Sequence, residues 1–226
     1  MLKKFFLCLP LILSQPALAQ ETAAAKPDSD PQALVASVTE KILQTIKDNR
    51  ARLGDAEFVA QKIEELIVPH IDQIAMSKLA LGKHWRTATP EQRNQFVEEF
   101  KNLLIRTYKT SLVNYNDQTV DMLPFRPSAE QDRAVVSSSI KRAGGPPIRI
   151  NYSMRYKPED GWKVYDIVIE GVSLVTNYRS TFDREIMTGG MDKLLESMRN
   201  RNLQPQASGA GDKPAATASK PAGAAE

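Results

Sequence analysis

The residues best suited to acid–base chemistry are two carboxylates four positions apart, Asp166 and Glu170, in a predicted strand. Because side chains alternate along a strand, both would lie on one face, where paired carboxyl groups can act as general acid and base. The alternative is a solvent-facing rim, or a salt bridge to Arg149 or Arg155. We favour this alternative because structural ion pairs are the commoner use of such residues.

The remaining reactive side chains form no recognised motif. His70 and His84 have no partner histidine at metal-ligand spacing, and we expect them to be surface, capping or loop residues. Ser173 follows Gly171 and Val172 but does not complete a G-x-S-x-G nucleophile elbow. No phosphate-binding or dinucleotide-binding glycine motif is present. The sequence therefore predicts no catalytic site, no metal site and no cofactor.

Residues 1–19 have the features of a cleaved secretory signal peptide. Lys3 and Lys4 precede a short apolar run, and the small residues Ala17 and Ala19 form an A-x-A cleavage site. The run is too short for a typical membrane span, and an uncleaved anchor is the alternative. Cys8, the only cysteine, lies in this segment, so the mature chain has no disulfide, thiol nucleophile or cysteine metal ligand. No later segment reads as a transmembrane helix, so we expect a soluble mature protein.

The composition bounds the folded part. The chain has 30 Lys and Arg against 27 Asp and Glu, and loss of the signal leaves it nearly neutral, which gives no support for nucleic-acid binding. Residues 20–29 and the Ala-, Gly-, Ser-, Pro- and Lys-rich residues 204–226 have too few large apolar side chains to fold, and we predict a flexible N-terminus and a disordered tail. One domain over residues 30–203 remains.

Hydrophobic periodicity predicts the elements of this domain. Apolar residues at three- and four-residue spacing predict helices that start at Asp30 and Asp55, a short helix over residues 71–81 and a long one over about 90–114. Thr89 and Gln92 frame a capping box at the start of the long helix. After residue 116 the period changes to two and predicts four strands, at residues 119–123, 133–140, 148–156 and 162–170.

After the last strand, Gly171 is a predicted hinge, and two helices close the chain at about residues 173–187 and 190–200. Helices followed by strands with short turns predict an α+β fold. We expect a curved antiparallel sheet of about four strands, backed by helices, with an N-terminal helical part and an enclosed apolar cavity.

The apolar residues permit two interpretations. The stripe of the long helix joins apolar residues of the strands and of the Gly171 region, and all of it could pack as ordinary core. Alternatively, part of it lines a pocket for an apolar ligand. Trp85 and Trp162 could likewise contact a ligand, although a core or rim anchor is more typical of tryptophan.

Two blocks of sequence resemble the MlaC family of periplasmic phospholipid carriers. One is Leu81-Gly-Lys-His-Trp-Arg-Thr-Ala-Thr-Pro-Glu-Gln92, and the other runs from Gly161-Trp-Lys-Val-Tyr-Asp through Glu170-Gly-Val-Ser-Leu to Asn177-Tyr-Arg179. With Asp30-Pro31, Phe96, Phe100 and Phe182, their order and spacing match the family over about residues 30–203. The resemblance implies an NTF2-like fold with acyl chains held between sheet and helices, and a periplasmic location that agrees with the signal peptide.

The same resemblance implies a carrier and not an enzyme, without a cofactor and monomeric. Such a carrier shuttles phospholipid between an outer-membrane lipoprotein–porin complex and an inner-membrane ABC-type complex with a hexameric lipid-domain ring, and so maintains outer-membrane lipid asymmetry. Two alternatives are a periplasmic binding protein for another hydrophobic ligand, such as a fatty acid or a quinone, and an NTF2-like enzyme.

The candidate pocket residues come from three places in the sequence. They are Ile105, Tyr108 and Leu112 on the long helix, Ile150, Tyr152 and Met154 on one strand face, and Val168, Val172 and Leu174 around Gly171. Arg149 and Arg179 are weaker candidates for the lipid phosphate or for partner docking, and a structural salt bridge is the favoured alternative for both.

Overall fold

The computed structural model describes residues 30–113, 119–141 and 145–203. The predicted signal peptide, flexible N-terminus and C-terminal tail lie outside these residues. The helices are α1 (Pro31–Asp48), α2 (Ala56–Leu66), α3 (Gln73–Leu81), α4 (His84–Thr87), α5 (Pro90–Val113) and α6 (Leu174–Leu203), with 3₁₀ turns at Arg50–Arg52 and Val68–His70. The strands are β1 (Thr119–Met122), β2 (Arg133–Lys141), β3 (Ile148–Lys157), β4 (Gly161–Ile169) and β5 (Val172–Ser173). No described helix is both long enough and apolar enough to cross a bilayer.

The strands form one antiparallel sheet in the order β1-β2-β3-β4-β5. The predicted α+β fold and its four main strands are confirmed, and the short β5 is an addition. Glu170 (φ 50°) and Gly171 (φ 81°) reverse the chain at the predicted hinge, and Val172 then pairs with Ile169. A positive φ is strained for Glu170 and costs Gly171 little, which explains the tight turn here.

One face of the sheet, the inner face, is packed against α1. Val35 of α1 forms a buried cluster with residues at one end of the strands: Ala134, Val136, Met154, Trp162 and Val164. The opposite, outer face carries mainly polar and charged side chains, such as Ser137, Asn151 and Arg155. Apolar and polar residues alternate along β3, and this alternation explains the two faces.

A β-bulge in β4 shifts that alternation by one residue. Ser153 pairs with Asp166, whereas Met154 pairs with Val164, so Tyr165 is the extra residue of the bulge. Arg133 stacks on Tyr165 from the outer face, at 5.5 Å from the ring centroid. After the bulge, Ile167 lies on the inner face and Val168 on the outer face.

The helices α3, α5 and α6 share a second core beside the sheet. It is centred on four aromatic rings, Phe96, Phe100, Tyr178 and Phe182, whose contacting pairs have centroids 5.3–5.5 Å apart. The predicted pair of closing helices is present as the two halves of α6, which meet at the non-helical residue Gly190 (φ 80°, ψ 176°). Because of this break, residues of both halves of α6 pack into the same core.

Polar side chains begin the helices as predicted. Asp30 and Asp55 accept backbone N–H groups of the first turns of α1 and α2. The Thr89 hydroxyl accepts the Gln92 N–H at 3.2 Å, and the Gln92 side chain accepts the Thr89 N–H at 3.0 Å. The predicted capping box is therefore confirmed.

A buried carboxylate, which the sequence analysis did not single out, attaches α3 to the sheet. The side chain of Asp72 is 1% exposed and lies 2.5 Å from Nη2 of Arg155 and 3.0 Å from Nζ of Lys157. It also caps α3 by accepting the Ala75 N–H at 3.0 Å. Burial alone would raise the pKa of Asp72, but the hydrogen bonds from Ala75, Lys157 and Arg155 outweigh it and hold this pKa below its ordinary value.

Candidate functional site

The carboxylate pair Asp166 and Glu170 has a structural use. Asp166 accepts the Val175 N–H at 3.2 Å and the Ser173 hydroxyl at 2.7 Å, so it fixes the start of α6. Glu170 accepts the backbone N–H of Arg149 at 2.5 Å. The favoured interpretation, a structural role, agrees with these contacts, although the partners are N–H and hydroxyl groups and not the predicted guanidinium groups.

The two histidines lie apart. His84 was predicted to be a loop residue, but it begins the short helix α4, and its Nε2 lies 2.6 Å from Oδ1 of Asp183. The hydrogen bond with His84, together with Lys83 at 3.0 Å, lowers the pKa of Asp183. Burial, with Lys163 and Lys41 nearby, lowers the pKa of His70. Across the described ranges, no group of three or more His, Cys, Asp or Glu side chains is arranged to hold a metal ion.

The inner face of the sheet has a second end, whose apolar side chains belong to none of the buried clusters among the described residues. Here Ile150 pairs with Ile169, and Ile148 pairs with Ile140 across β2 and β3. These side chains are half-buried, and they are not packed on the cluster around Val35. Val172 extends the same face through its pairing with Ile169. We call this set the open end of the inner face; it is a half-buried apolar surface among the described residues.

A pair of hydroxyl groups lies between the packed end and the open end. Ser138 is fully buried, and its Oγ lies 3.3 Å from the Tyr152 hydroxyl. Burial raises the pKa of Tyr152, and the hydrogen bond with Ser138 opposes this only in part. Both groups are therefore neutral hydrogen-bonding groups at neutral pH, and no described base is bonded to them, so they suit binding better than catalysis.

A second apolar region, the α1–α2 cleft, lies between the first two helices. It measures about 400 Å³ with its open mouth, and Ile42, Ile46, Val59 and Ile63 are among the apolar side chains that line it. Sequence reasoning did not assign it, although the apolar stripes of both helices were visible. The missing information was that the two stripes face each other.

The structure divides the predicted pocket residues among different surroundings. Ile105 packs on α2, whereas Tyr108, on the same helix, lies near Tyr178. Burial raises the pKa of Tyr108, and the neighbouring Tyr178 raises it further. The side chain of Leu112 lies outside the described residues. Met154 is fully buried in the packed end of the inner face.

The strand and hinge candidates are also divided. Ile150, Tyr152 and Val172 share the inner face, but Val168 pairs with Asn151 on the outer face. Leu174 is half-buried at the first position of α6.

The two arginine candidates are held by backbone groups. Arg149 is exposed near the start of β3, where its backbone N–H donates to the Glu170 carboxylate and its C=O accepts the Glu170 N–H. Arg179 donates from Nε to the Leu79 carbonyl at 2.6 Å and lies against Gly82. Neither makes the predicted salt bridge with a described residue.

Comparison with known proteins gives consistent similarities. Residues 36–200 match the family model described as MlaC protein. The intermembrane phospholipid transport system binding protein MlaC of Haemophilus influenzae is 25% identical over 207 residues, which cover 90% of this chain and 95% of that protein. The toluene tolerance protein ttg2D of Pseudomonas putida is 25% identical over 72% of this chain and 75% of its own length. A solved structure of a phospholipid-binding protein from Ralstonia solanacearum, in complex with a phospholipid, is 38% identical, superposes with a TM-score of 0.72, and is matched over 97% of its length and 77% of this chain.

Proposed function

The chain belongs to the MlaC family, and from this membership we propose that it is a periplasmic carrier that binds a phospholipid by its acyl chains and moves it between membranes. The observation that carries the proposal is the likeness to the phospholipid-bound protein of Ralstonia solanacearum, which spans almost all of that chain. The open end of the inner face supports it, because it offers apolar surface at the place where a lipid could lie against the sheet.

The energetics of lipid transfer explain why such a carrier needs this surface. Two acyl chains with about thirty methylene groups, at ~0.8 kcal/mol each, put roughly 24 kcal/mol against leaving the bilayer for water. An apolar protein surface offsets most of this cost. Transfer from bilayer to carrier is then close to neutral, and the partners at each membrane can set its direction.

Only some of the predicted pocket residues lie where we propose that the lipid binds. Ile150, Tyr152 and Val172 face the open end, and we propose that they contact the acyl chains, with the Ser138–Tyr152 hydroxyl pair at the inner limit. Met154 contributes by supporting the packed end. Val168 faces the other side of the sheet and serves as a comparison position.

Two neighbouring residues of β4 provide a matched test. Ile169→Asp places a charge on the inner face, and Val168→Asp places the same charge one residue away on the outer face; both native side chains are half-buried. We expect phospholipid recovered by organic extraction from purified Ile169→Asp protein to fall at least tenfold per mole, whereas Val168→Asp retains it. Denaturant unfolding of both variants controls for folding.

The outcomes separate the alternatives. Equal lipid in both variants would refute the assignment of the ligand to the inner face. A fatty acid or a quinone in the extract, in place of a phospholipid, would favour the binding-protein alternative. Chemical change of the lipid on incubation would favour an enzyme; the absence of an acid–base cluster among the described inner-face residues argues against it.

The carrier proposal also includes the two membrane partners. We propose that lipid-loaded protein exchanges phospholipid with an inner-membrane ABC-type complex and with an outer-membrane lipoprotein–porin complex, and that this exchange maintains outer-membrane lipid asymmetry. Fluorescent phospholipid, followed from the loaded protein to each purified complex in separate nanodiscs, tests it. Transfer to neither complex would limit the function to lipid binding.

A further inference from the structure

Positive charge is concentrated on one surface of the helical part, around α4. This surface, which we call the α4 basic surface, is made of five cationic side chains from α3, α4, α5, α6 and the turn before α4: Lys78, Lys83, Arg86, Arg93 and Arg179. Two of them donate hydrogen bonds to backbone carbonyls of the segment from α3 to α4. Arg93 donates to the carbonyls of Trp85 and Arg86 at 2.9 and 3.2 Å, and Arg179 donates to that of Leu79.

Most of this charge is not neutralised by carboxylates. Lys83 lies 3.0 Å from Asp183, but Lys78, Arg86, Arg93 and Arg179 make no salt bridge with any residue in the described ranges. The sheet side of the molecule differs, because there Arg155 and Lys157 share the buried Asp72, and Lys141 pairs with an aspartate. Of the acids near the α4 basic surface, Asp183 is already used by Lys83 and His84, Asp192 accepts a hydrogen bond from the Gln92 side chain, and Glu91 lies in the first turn of α5.

The same surface includes an aromatic ring and an exposed aliphatic side chain. The Trp85 ring is half-buried, with Nζ of Lys78 at 5.8 Å and the guanidinium of Arg93 at 5.6 Å from its centroid. Ile74 is 52% exposed, one helical turn before Lys78 on the same face of α3. Trp and Arg are the residues most enriched at the energetic centres of protein–protein interfaces.

From this arrangement we infer that the α4 basic surface is a docking site for a protein surface that carries carboxylates. Backbone carbonyls hold the Arg93 and Arg179 guanidinium groups in fixed positions, which suits partner carboxylates placed at matching points. A membrane surface requires only diffuse charge and inserted apolar side chains, whereas among the described side chains of α3, α4 and α5 Ile74 is the only large apolar one that is mostly exposed. Complementary charge of this kind steers association and sets partner choice.

The test rests on the proposed carrier function, because that function determines the binding partner to be used. This partner is the inner-membrane lipid-transport complex of the same organism, in nanodiscs of zwitterionic lipid. The variant is Lys83→Glu with Arg86→Glu. Its matched control is Lys41→Glu with Lys47→Glu, which makes the same change in net charge at exposed positions of α1. Association is measured by surface plasmon resonance at low and at physiological salt, with full-length mature protein.

We expect the α4 variant to associate at least tenfold more slowly than the native protein at low salt, with a weaker salt dependence, and the α1 variant to behave as native. Both should retain copurified phospholipid. Native-like association of the α4 variant, or an equal loss in the α1 variant, would overturn the inference. A loss of binding to vesicles containing 3:7 phosphatidylglycerol and phosphatidylcholine, with association to the complex unchanged, would assign the surface to lipid and also overturn it.

The measurement of copurified phospholipid distinguishes failure of the docking inference from failure of the carrier proposal. A native protein that carries phospholipid but does not associate with the complex overturns the docking inference and the proposed exchange with that complex, and leaves lipid binding standing. A native protein that carries no phospholipid, and takes none up from vesicles, overturns the carrier proposal whatever the binding arm shows.

Discussion

Replacement of Asp72 should destabilise the protein more than any other change of a single charged side chain described above. Its carboxylate is 1% exposed and performs two tasks: it caps α3 through Ala75 and neutralises Arg155 and Lys157, which are 35% and 24% exposed. Loss of a helix cap costs ~1 kcal/mol. Breaking a buried ion pair costs about 3–5 kcal/mol, and the partial exposure of both cations favours a lower figure of about 2. Asp72→Ala should therefore lower the free energy of unfolding by about 3 kcal/mol.

Asp72→Asn separates the two tasks. The amide oxygen can still accept the Ala75 N–H, so only the charge is lost, and we expect a decrease of about 2 kcal/mol. Urea unfolding at pH 7 measures the loss of stability in both Asp72 variants, and we expect the dependence of the unfolding free energy on urea concentration to be unchanged. Asp183→Asn is the control: this carboxylate also meets two basic groups, Lys83 and His84, but it is 40% exposed, and we expect a clearly smaller loss than for Asp72→Asn. An Asp72→Ala protein within about 0.5 kcal/mol of native stability would refute the reasoning.

The same carboxylate gives a pH dependence of known sign. The pKa of Asp72 is lower in the folded protein than its ordinary value of 3.8. Its contribution to stability is therefore complete above pH ~4 and is lost as the pH falls through the folded-state pKa. The difference in unfolding free energy between native protein and Asp72→Asn should be constant from pH 7 to about 5 and narrow below 4. A difference that widens on acidification would contradict the assignment.

Two further substitutions test the helical core. Phe182→Ala removes a fully buried ring that contacts Phe96, Phe100 and Tyr178, and should cost about 3–5 kcal/mol in urea unfolding; a loss under ~1 kcal/mol would mean that the core collapses around the gap. Gly190→Ala meets no atom within 4 Å but places a side chain at φ 80° and ψ 176°, a region that is nearly restricted to glycine, so backbone strain alone should cost about 1–3 kcal/mol, and a stabilised variant would show that the break in α6 shifts to accommodate alanine.

Periodicity predicted the elements well because local sequence determines most of them. The capping box at Thr89 and the long helix after it depend only on residues close in sequence. The alternation of apolar and polar residues in β3 directly indicates which side chains face the core. The reversal at Gly171 was predicted as a hinge, but the pairing of Val172 with Ile169 depends on the exact turn geometry, so β5 was not predicted.

The candidate site was predicted less completely because its geometry is not local. Strict alternation along β4 puts Val164 and Val168 on one face, and the bulge at Tyr165 separates them. The surroundings of Asp72 come from Arg155 and Lys157, more than eighty residues later in the chain, and no spacing rule connects them. The α1–α2 cleft depends in the same way on how two helices are placed against each other.

The bulge at Tyr165 has a consequence for how this strand can change in evolution. Because one extra residue is accommodated there, β4 can lose that residue and still present Ile167 inward and Val168 outward, as it does now. A deletion between Ile167 and Ile169 lacks this compensation and would turn the residues that follow to the opposite face. We therefore expect related sequences to differ in the length of β4 only at the bulge. The segment from there into α6 should keep a fixed length even where its side chains vary.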